Sequence, residues 1–168
     1  MLGLRSNGDG TLCGEVFCTS PNDKQFIYDV WGSSLSVSRG RIYDTAKLPG
    51  FICKENDKTI GLVTYNIYNG DCEIVTLDSK MNKKGLGTRL INKVIEKAKA
   101  NNCKRVWLIT TNDNTHAIRF YQKRGFEWIG FYRDAMKESR KLKPEIPELG
   151  NDDIPIKHEI EFEYRIER

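Results

Sequence analysis

The 168-residue chain is 39% hydrophobic and 30% charged, which suits one soluble globular domain with its own core and excludes disordered and fibrous classes. No apolar run approaches the ~20 residues that cross a bilayer, and the polar, Gly-rich first residues lack the apolar core of a signal peptide, so a cytoplasmic protein is expected. The five cysteines, at 13, 18, 53, 72 and 103, are odd in number and include no CxxC pair; this disfavours a disulfide framework or a zinc knuckle and predicts reduced thiols, with Cys72 a buried small hydrophobe.

Residues 1–14 read as a loose leader and Glu15 to Thr19 as a short strand. After the turn at Pro21-Asn22, Asp23 to Trp31 has helical character, whereas Arg39 to Pro49 is ambiguous, with Gly40 and Pro49 as breakers. From Phe51 the pattern clears. Strands are predicted at Phe51–Glu55, Thr59–Tyr68 and Cys72–Leu77, joined by the turns Asn56-Asp57-Lys58 and Asn69-Gly70-Asp71, hence antiparallel. Leu86, Leu90, Ile91, Val94, Ile95 and Ala98 recur at 3.6-residue spacing and predict an amphipathic helix ending at Asn101-Asn102. Arg105 to Thr111 is a near-continuous apolar strand. Asn112-Asp113-Asn114 supplies N-cap candidates for a helix over Thr115–Arg124, with Gly125 at its C-terminal stop. Phe126–Tyr132 reads as a strand, Asp134–Leu142 as a short basic helix stopped by Pro144, and Glu145–Pro155 as a loop. Ile156–Ile166 alternates strictly and predicts a half-buried terminal strand, with Ile156, His158, Ile160, Phe162 and Tyr164 on the covered face. The order predicts an α/β fold, a mixed sheet that is mostly antiparallel and flanked by helices.

Charge is unevenly spread. Nine basic residues face one acid between Lys80 and Arg105, and seven acids face one lysine between Glu145 and Glu163. A basic middle and an acidic tail suit a protein that holds an anionic ligand and a cationic one, although two solvated faces account for the charges equally well.

The most informative stretch is Asn82-Lys83-Lys84-Gly85-Leu86-Gly87-Thr88, between a predicted strand and the strongest helix. Its glycines let the backbone turn and approach a ligand, and the unpaired N–H groups of a helix start favour an anion, so a phosphate-bearing ligand is expected. A P-loop requires GxxxxGK followed by Ser or Thr, which is absent. A dinucleotide fingerprint requires GxGxxG in a parallel βαβ unit; Leu90 stands at its third glycine, and hairpins precede it. The pyrophosphate loop of acyl-CoA transferases is the remaining reading.

A second motif supports that reading: Asn114-x-x-Ala117-x-x-Phe120-Tyr121-x-Lys123-x-Gly125-Phe126. Together the two motifs resemble the GNAT superfamily of acetyl-CoA-dependent N-acetyltransferases, whose loop runs Gln or Arg, two variable residues, Gly, one variable residue, then Gly or Ala; Asn82 departs from the first position. The resemblance covers about Val16 to Arg168, a single domain over 16–168 with residues 1–15 outside it. The tail, from Arg140-Lys141-Leu142-Lys143-Pro144 through Phe162, resembles a branch with no settled substrate.

The resemblance implies acetyl-CoA as cosubstrate, no metal, and a pantetheine arm paired with backbone near Leu77 and Ser79. The amides of Lys84, Gly85, Leu86, Gly87 and Thr88 are expected to cradle the pyrophosphate, with Asn82 in the loop, charge added by Lys83 and Lys84, and Asn114 contacting the ligand or capping its helix. A neutral amine attacks the thioester directly in a ternary complex. Tyr121 stands at the family's general-acid position, and a phenol with pKa near ~10 keeps its proton at neutral pH. Glu73, sharing a strand face with Val75 and Leu77 in apolar surroundings, is the candidate base, with a structural carboxylate as the equal alternative. His158 is a second candidate, and His116 is expected to be exposed and inert. Trp31, Arg39, Arg41 and Tyr65 are candidates for the acceptor pocket, with core or surface as the alternative.

The expected partners are acetyl-CoA and a primary amine on a small molecule or peptide, with neither nucleic acid nor membrane; a homodimer is the leaning expectation. The alternative is a catalytically silent CoA-sensing domain, against which Tyr121 weighs. Nucleic-acid binding is disfavoured because the basic helix has no interleaved exposed aromatics.

Overall fold

Two hairpin turns organise the middle of the chain. Asn56-Asp57 and Asn69-Gly70 each hold two successive residues at positive φ (49° and 62°, 52° and 80°), the backbone that twists two antiparallel strands into register. In this computed structural model, which describes residues 5–6, 12–17, 21–79 and 85–166, the turns join β5 (Pro49–Glu55), β6 (Lys58–Tyr68) and β7 (Asp71–Ser79). The remaining elements are β1 (Arg5–Ser6), β2 (Leu12–Phe17), α1 (Pro21–Trp31), β3 (Leu35–Ser38), β4 (Arg41–Asp44), α2 (Leu86–Ala100), β8 (Arg105–Thr111), α3 (Thr115–Gln122), β9 (Glu127–Tyr132), α4 (Met136–Leu142) and β10 (Glu159–Arg165).

Among the described residues the main sheet has the order β1-β2-β5-β6-β7-β8-β10-β9, with β3 and β4 forming a separate hairpin. Every pairing is antiparallel except that of β7 with β8. This is the mixed, mostly antiparallel sheet expected. The six-residue stripe of α2 is buried against Phe51, Cys72, Ile74, Val106 and Leu108 on one sheet face. On the other face, Phe26 and Ile27 of α1 pack with Ile52 and Leu62. No helix among the described residues is long and apolar enough to cross a membrane.

Three expectations change. Leu12–Phe17 is a strand that pairs along β5, and Arg5–Ser6 pairs with it, so part of the segment read as a loose leader extends the sheet. Cys53 is disulfide-bonded rather than reduced; Cys13 on β2 is its Cα partner in the register. Cys72 and Cys103 are free and buried, and burial pushes the Cys72 thiol up to about 12. On β10 the carboxylate face is buried as well as the apolar one, with Glu159, Glu161 and Glu163 each under a tenth exposed. Arg105 carries much of this, pairing with Asp71 (2.8 Å), Glu161 (3.1 Å) and Glu163 (3.3 Å). Tyr65 is core, stacked on Phe51 with ring centroids 5.8 Å apart.

Candidate active site

The parallel pair opens partway along its length. Asp71–Ile74 of β7 pairs with Arg105–Leu108 of β8, and the pairing stops there. Beyond that point β7 continues to Ser79 against β6, while β8 continues to Thr111 against β10. Two strands inside a sheet therefore diverge and leave facing backbone N–H and C=O groups without a ladder partner between them. Such groups require satisfaction by solvent or ligand.

A bulge sharpens the divergence. The register of β6 on β7 runs Tyr65↔Ile74 and then Thr64↔Thr76, which leaves Val75 as the extra residue. The inserted residue also resets the alternation: Ile74 and Leu77 pack into the same core cluster. Glu73 thus does not share a face with Leu77, as simple alternation from Cys72 to Leu77 had implied.

A cavity of about 430 Å³ fills the opening, within the range of small-molecule sites. Ile74–Leu77 lines one side and Leu108–Thr111 the other, with Asn114, Ala117 and Tyr121 of the α3 region closing one wall. Tyr121 is 7% exposed. Its ring is fixed by Phe120, Phe126 and Phe162 at centroid distances of 5.3, 5.5 and 6.3 Å. Burial, more than the nearby charge of Asp78, raises the phenol above its ordinary value, and the Arg124 charge opposes this. The hydroxyl keeps its proton at neutral pH, and no side chain or backbone group among the described residues hydrogen-bonds to it. Asn114 caps α3, its side-chain oxygen accepting from Ala117 N–H at 3.1 Å, and it also faces the cavity; the capping role expected for it is present.

The helix start lies at the open end of the divergence. Gly61, paired with Ser79, lies against Leu86 and Leu90, which sets the first turn of α2 beside the last residues of β7. The helical ladder begins with Arg89 N–H donating to Gly85 C=O at 2.9 Å, so the N–H groups of Leu86, Gly87 and Thr88 precede it. Gly85 sits at φ 98° with no side-chain cap. Gly87 has a packing reason of its own: a Cβ there would lie 2.9 Å from the Phe120 ring, so this glycine lets α3 approach α2. Arg124 ties the two helices together, its Nε donating to Thr88 Oγ1 (2.8 Å) and its guanidinium lying 3.5 Å from the Phe120 centroid. Asn82, Lys83 and Lys84 lie outside the described residues.

Glu73 is 3% exposed and accepts hydrogen bonds from Ser38 Oγ (2.6 Å) and Tyr43 Oη (2.7 Å) of the β3–β4 hairpin. Its surroundings are polar rather than apolar, and it stands beside the cavity instead of lining it. Burial raises its pKa, opposed by those two hydrogen bonds and by the Arg41 charge. His158 accepts from Asp134 N–H through Nδ1 (3.0 Å) and packs on Phe131, away from the cavity. His116 is exposed. Of the proposed acceptor-pocket residues, Arg39 stacks on Tyr132 at 3.2 Å and Arg41 lies 6.0 Å from the Tyr68 ring. The other wall is instead built by Ser33, Leu35–Val37 and Thr45 with Met136, Lys143 and Ile146. Sequence reasoning missed these residues because they come from two distant segments, and the run Arg140-Lys141-Leu142-Lys143-Pro144, although it carried the resemblance of the tail, says nothing of its neighbours in space.

The sequence profile of the Acetyltransferase (GNAT) family matches residues 19–126. The chain is 45% identical over 139 residues to the uncharacterized protein YdhI of Bacillus subtilis (strain 168), covering 82% of this chain and 86% of that one. In fold it is similar to the IAA acetyltransferase from Bacillus cereus ATCC 14579 (TM-score 0.72, 17% identity, 93% of this chain and 99% of that chain). It is also similar to a GNAT family acetyltransferase from Elizabethkingia anophelis with acetyl-CoA bound (TM-score 0.68, 19% identity, 94% and 99%).

Proposed function

From the premise that this chain belongs to the GNAT family of acetyltransferases, we propose that it transfers an acetyl group from acetyl-CoA to a primary amine by direct attack in a ternary complex. The observation that carries the reading is the divergence of β7 from β8 around a cavity into which Tyr121 is built.

The residues present fit acetyl-CoA. The facing backbone of the divergent strands, near Leu77 and Ser79, suits an extended amide-bearing arm. The amides of Leu86, Gly87 and Thr88 suit a pyrophosphate, which the helix dipole favours. In this reading Gly85 makes the turn, Asn82, Lys83 and Lys84 complete the loop, and Asn114 contacts the ligand while capping α3. The amine attacks the thioester carbonyl, the tetrahedral intermediate collapses, and the C–S bond breaks. Tyr121 gives its proton to the departing sulfur; a phenol whose pKa is raised by burial is protonated for that step. The ammonium proton leaves through water toward Glu73, whose raised pKa suits a proton acceptor. A cytoplasmic setting belongs to the same reading.

Purified protein incubated with acetyl-CoA and an amine panel tests this, with released thiol measured against N-acetylated product by mass spectrometry. Equal amounts of thiol and N-acetyl product are expected. Acetyl-CoA binding with no product on any amine would sink the transferase reading and leave a CoA-binding domain.

A further inference from the structure

The acceptor side of the cavity has a composition that selects among amines. Leu35 and Val37 of β3, Met136 of α4 and Ile146 give the wall an apolar part, beside the neutral hydroxyl residues Ser33, Ser36 and Thr45. Among the described residues that line the whole cavity there is no Asp, Glu, His or Arg, and the one charged side chain is Lys143. The carboxylates beneath the same hairpin are turned elsewhere: Glu73 to Ser38 and Tyr43, and Glu159 to Ser139. The acidic tail, which suggested a cationic acceptor, therefore contributes no carboxylate to this wall.

Lys143 is half-buried. Its Nζ donates to Leu35 C=O at 2.7 Å, which pins the end of α4 to β3. An ammonium has three donors, so two remain, and no carboxylate pairs with this one among the described residues. A polycation entering here would shed hydration, meet a like charge and find no counter-charge among the described lining residues. A carboxylate at the same place would complete a charge-assisted hydrogen bond. The cavity must also take the thioester end of the donor, so about 430 Å³ leaves room for a small acceptor.

Resting on the acetyltransferase reading above, we infer that the acceptor is a small amine with an apolar body and a carboxylate that binds Lys143, an amino-acid-like molecule rather than a polyamine.

The test measures kcat/KM, at saturating acetyl-CoA, for leucine, methionine, phenylalanine and 6-aminohexanoate, each against its carboxamide, with spermidine alongside. At least one acid is expected to exceed its amide by roughly 10- to 100-fold, the range of a charge-assisted hydrogen bond. Lys143→Met should collapse that ratio and Lys143→Arg should restore it, with the acetyl-CoA-induced thermal shift retained in both variants to show that they are folded. Preference for spermidine or for the amides overturns the inference and leaves the transferase intact. So does a ratio unmoved by Lys143→Met, or failure of every acid. Failure to bind acetyl-CoA would instead strike the reading on which the inference rests.

Discussion

Tyr121→Phe separates chemistry from packing because the ring makes the packing contacts while the hydroxyl is the proposed acid. The ring touches Phe120, Phe126 and Phe162 at 5.3–6.3 Å, and phenylalanine keeps all three contacts. The hydroxyl has no hydrogen-bond partner among the described residues, so its removal orphans no protein group, and unfolding free energy should change by less than about 1 kcal/mol. Catalysis should fare differently. Loss of a positioned general acid costs roughly 10²- to 10⁴-fold in kcat, or about 3–5 kcal/mol of barrier. Stopped-time assays of released thiol, with acetyl-CoA affinity measured by calorimetry, give both quantities on the same sample. The expected outcome is a kcat lower by at least 100-fold with Kd for acetyl-CoA within about threefold and an unchanged melting temperature. The reasoning is refuted if kcat falls by less than about threefold, or if affinity and kcat fall in parallel. Tyr121→Ala, by contrast, should cost about 3–5 kcal/mol of stability because it empties an aromatic site.

Gly87→Ala drives a methyl against the Phe120 ring, where an ideal Cβ would sit 2.9 Å away; thermal melts should show a loss of about 1–3 kcal/mol, with acetyl-CoA binding weakened. The raised pKa of Glu73 means that the folded state holds this proton more tightly than the unfolded chain. Stability from this group is therefore full below the ordinary carboxylate pKa and lost as pH rises through the raised folded value. Glu73→Gln should flatten that fall in chemical denaturation across pH, while the acid limb of kcat/KM, set by protonation of the base, should disappear. Arg105→Met leaves Glu161 and Glu163 on the buried face of β10 without the guanidinium they share, and urea titration should show a loss of about 2 kcal/mol, below the full buried-pair cost because Arg105 is partly exposed.

Local periodicity made the centre of the fold legible. All six apolar residues of the α2 stripe are buried, and the turn dipeptides at 56–57 and 69–70 adopt the positive φ their residue types favour. The cap of α3 was legible because Asn114 and the Ala117 N–H it accepts from lie within one helical turn. What was not legible depends on distant partners. The Val75 bulge exists only in the register with β6, so the faces of Glu73 and Leu77 could not be read from β7 alone. Alternation in β10 assigned its glutamates to one face, but burial of that face reflects partners elsewhere in the chain: Ser139 on α4, Arg105 on β8 and Tyr132 on β9. Lys143 has its meaning only beside Leu35, 108 positions earlier.

The incomplete pairing of β7 with β8 has a consequence for how this protein can change over time. If the donor docks on main-chain groups left over from a sheet, then what recognises it is common to every amino acid but proline, and mutation can scarcely erase it. The side chains that line the opening are released from that duty. Leu35, Val37, Met136, Lys143 and Ile146 can then drift toward a new acceptor while the acetyl source stays the same, and the fold becomes a socket with one permanent plug and one exchangeable one.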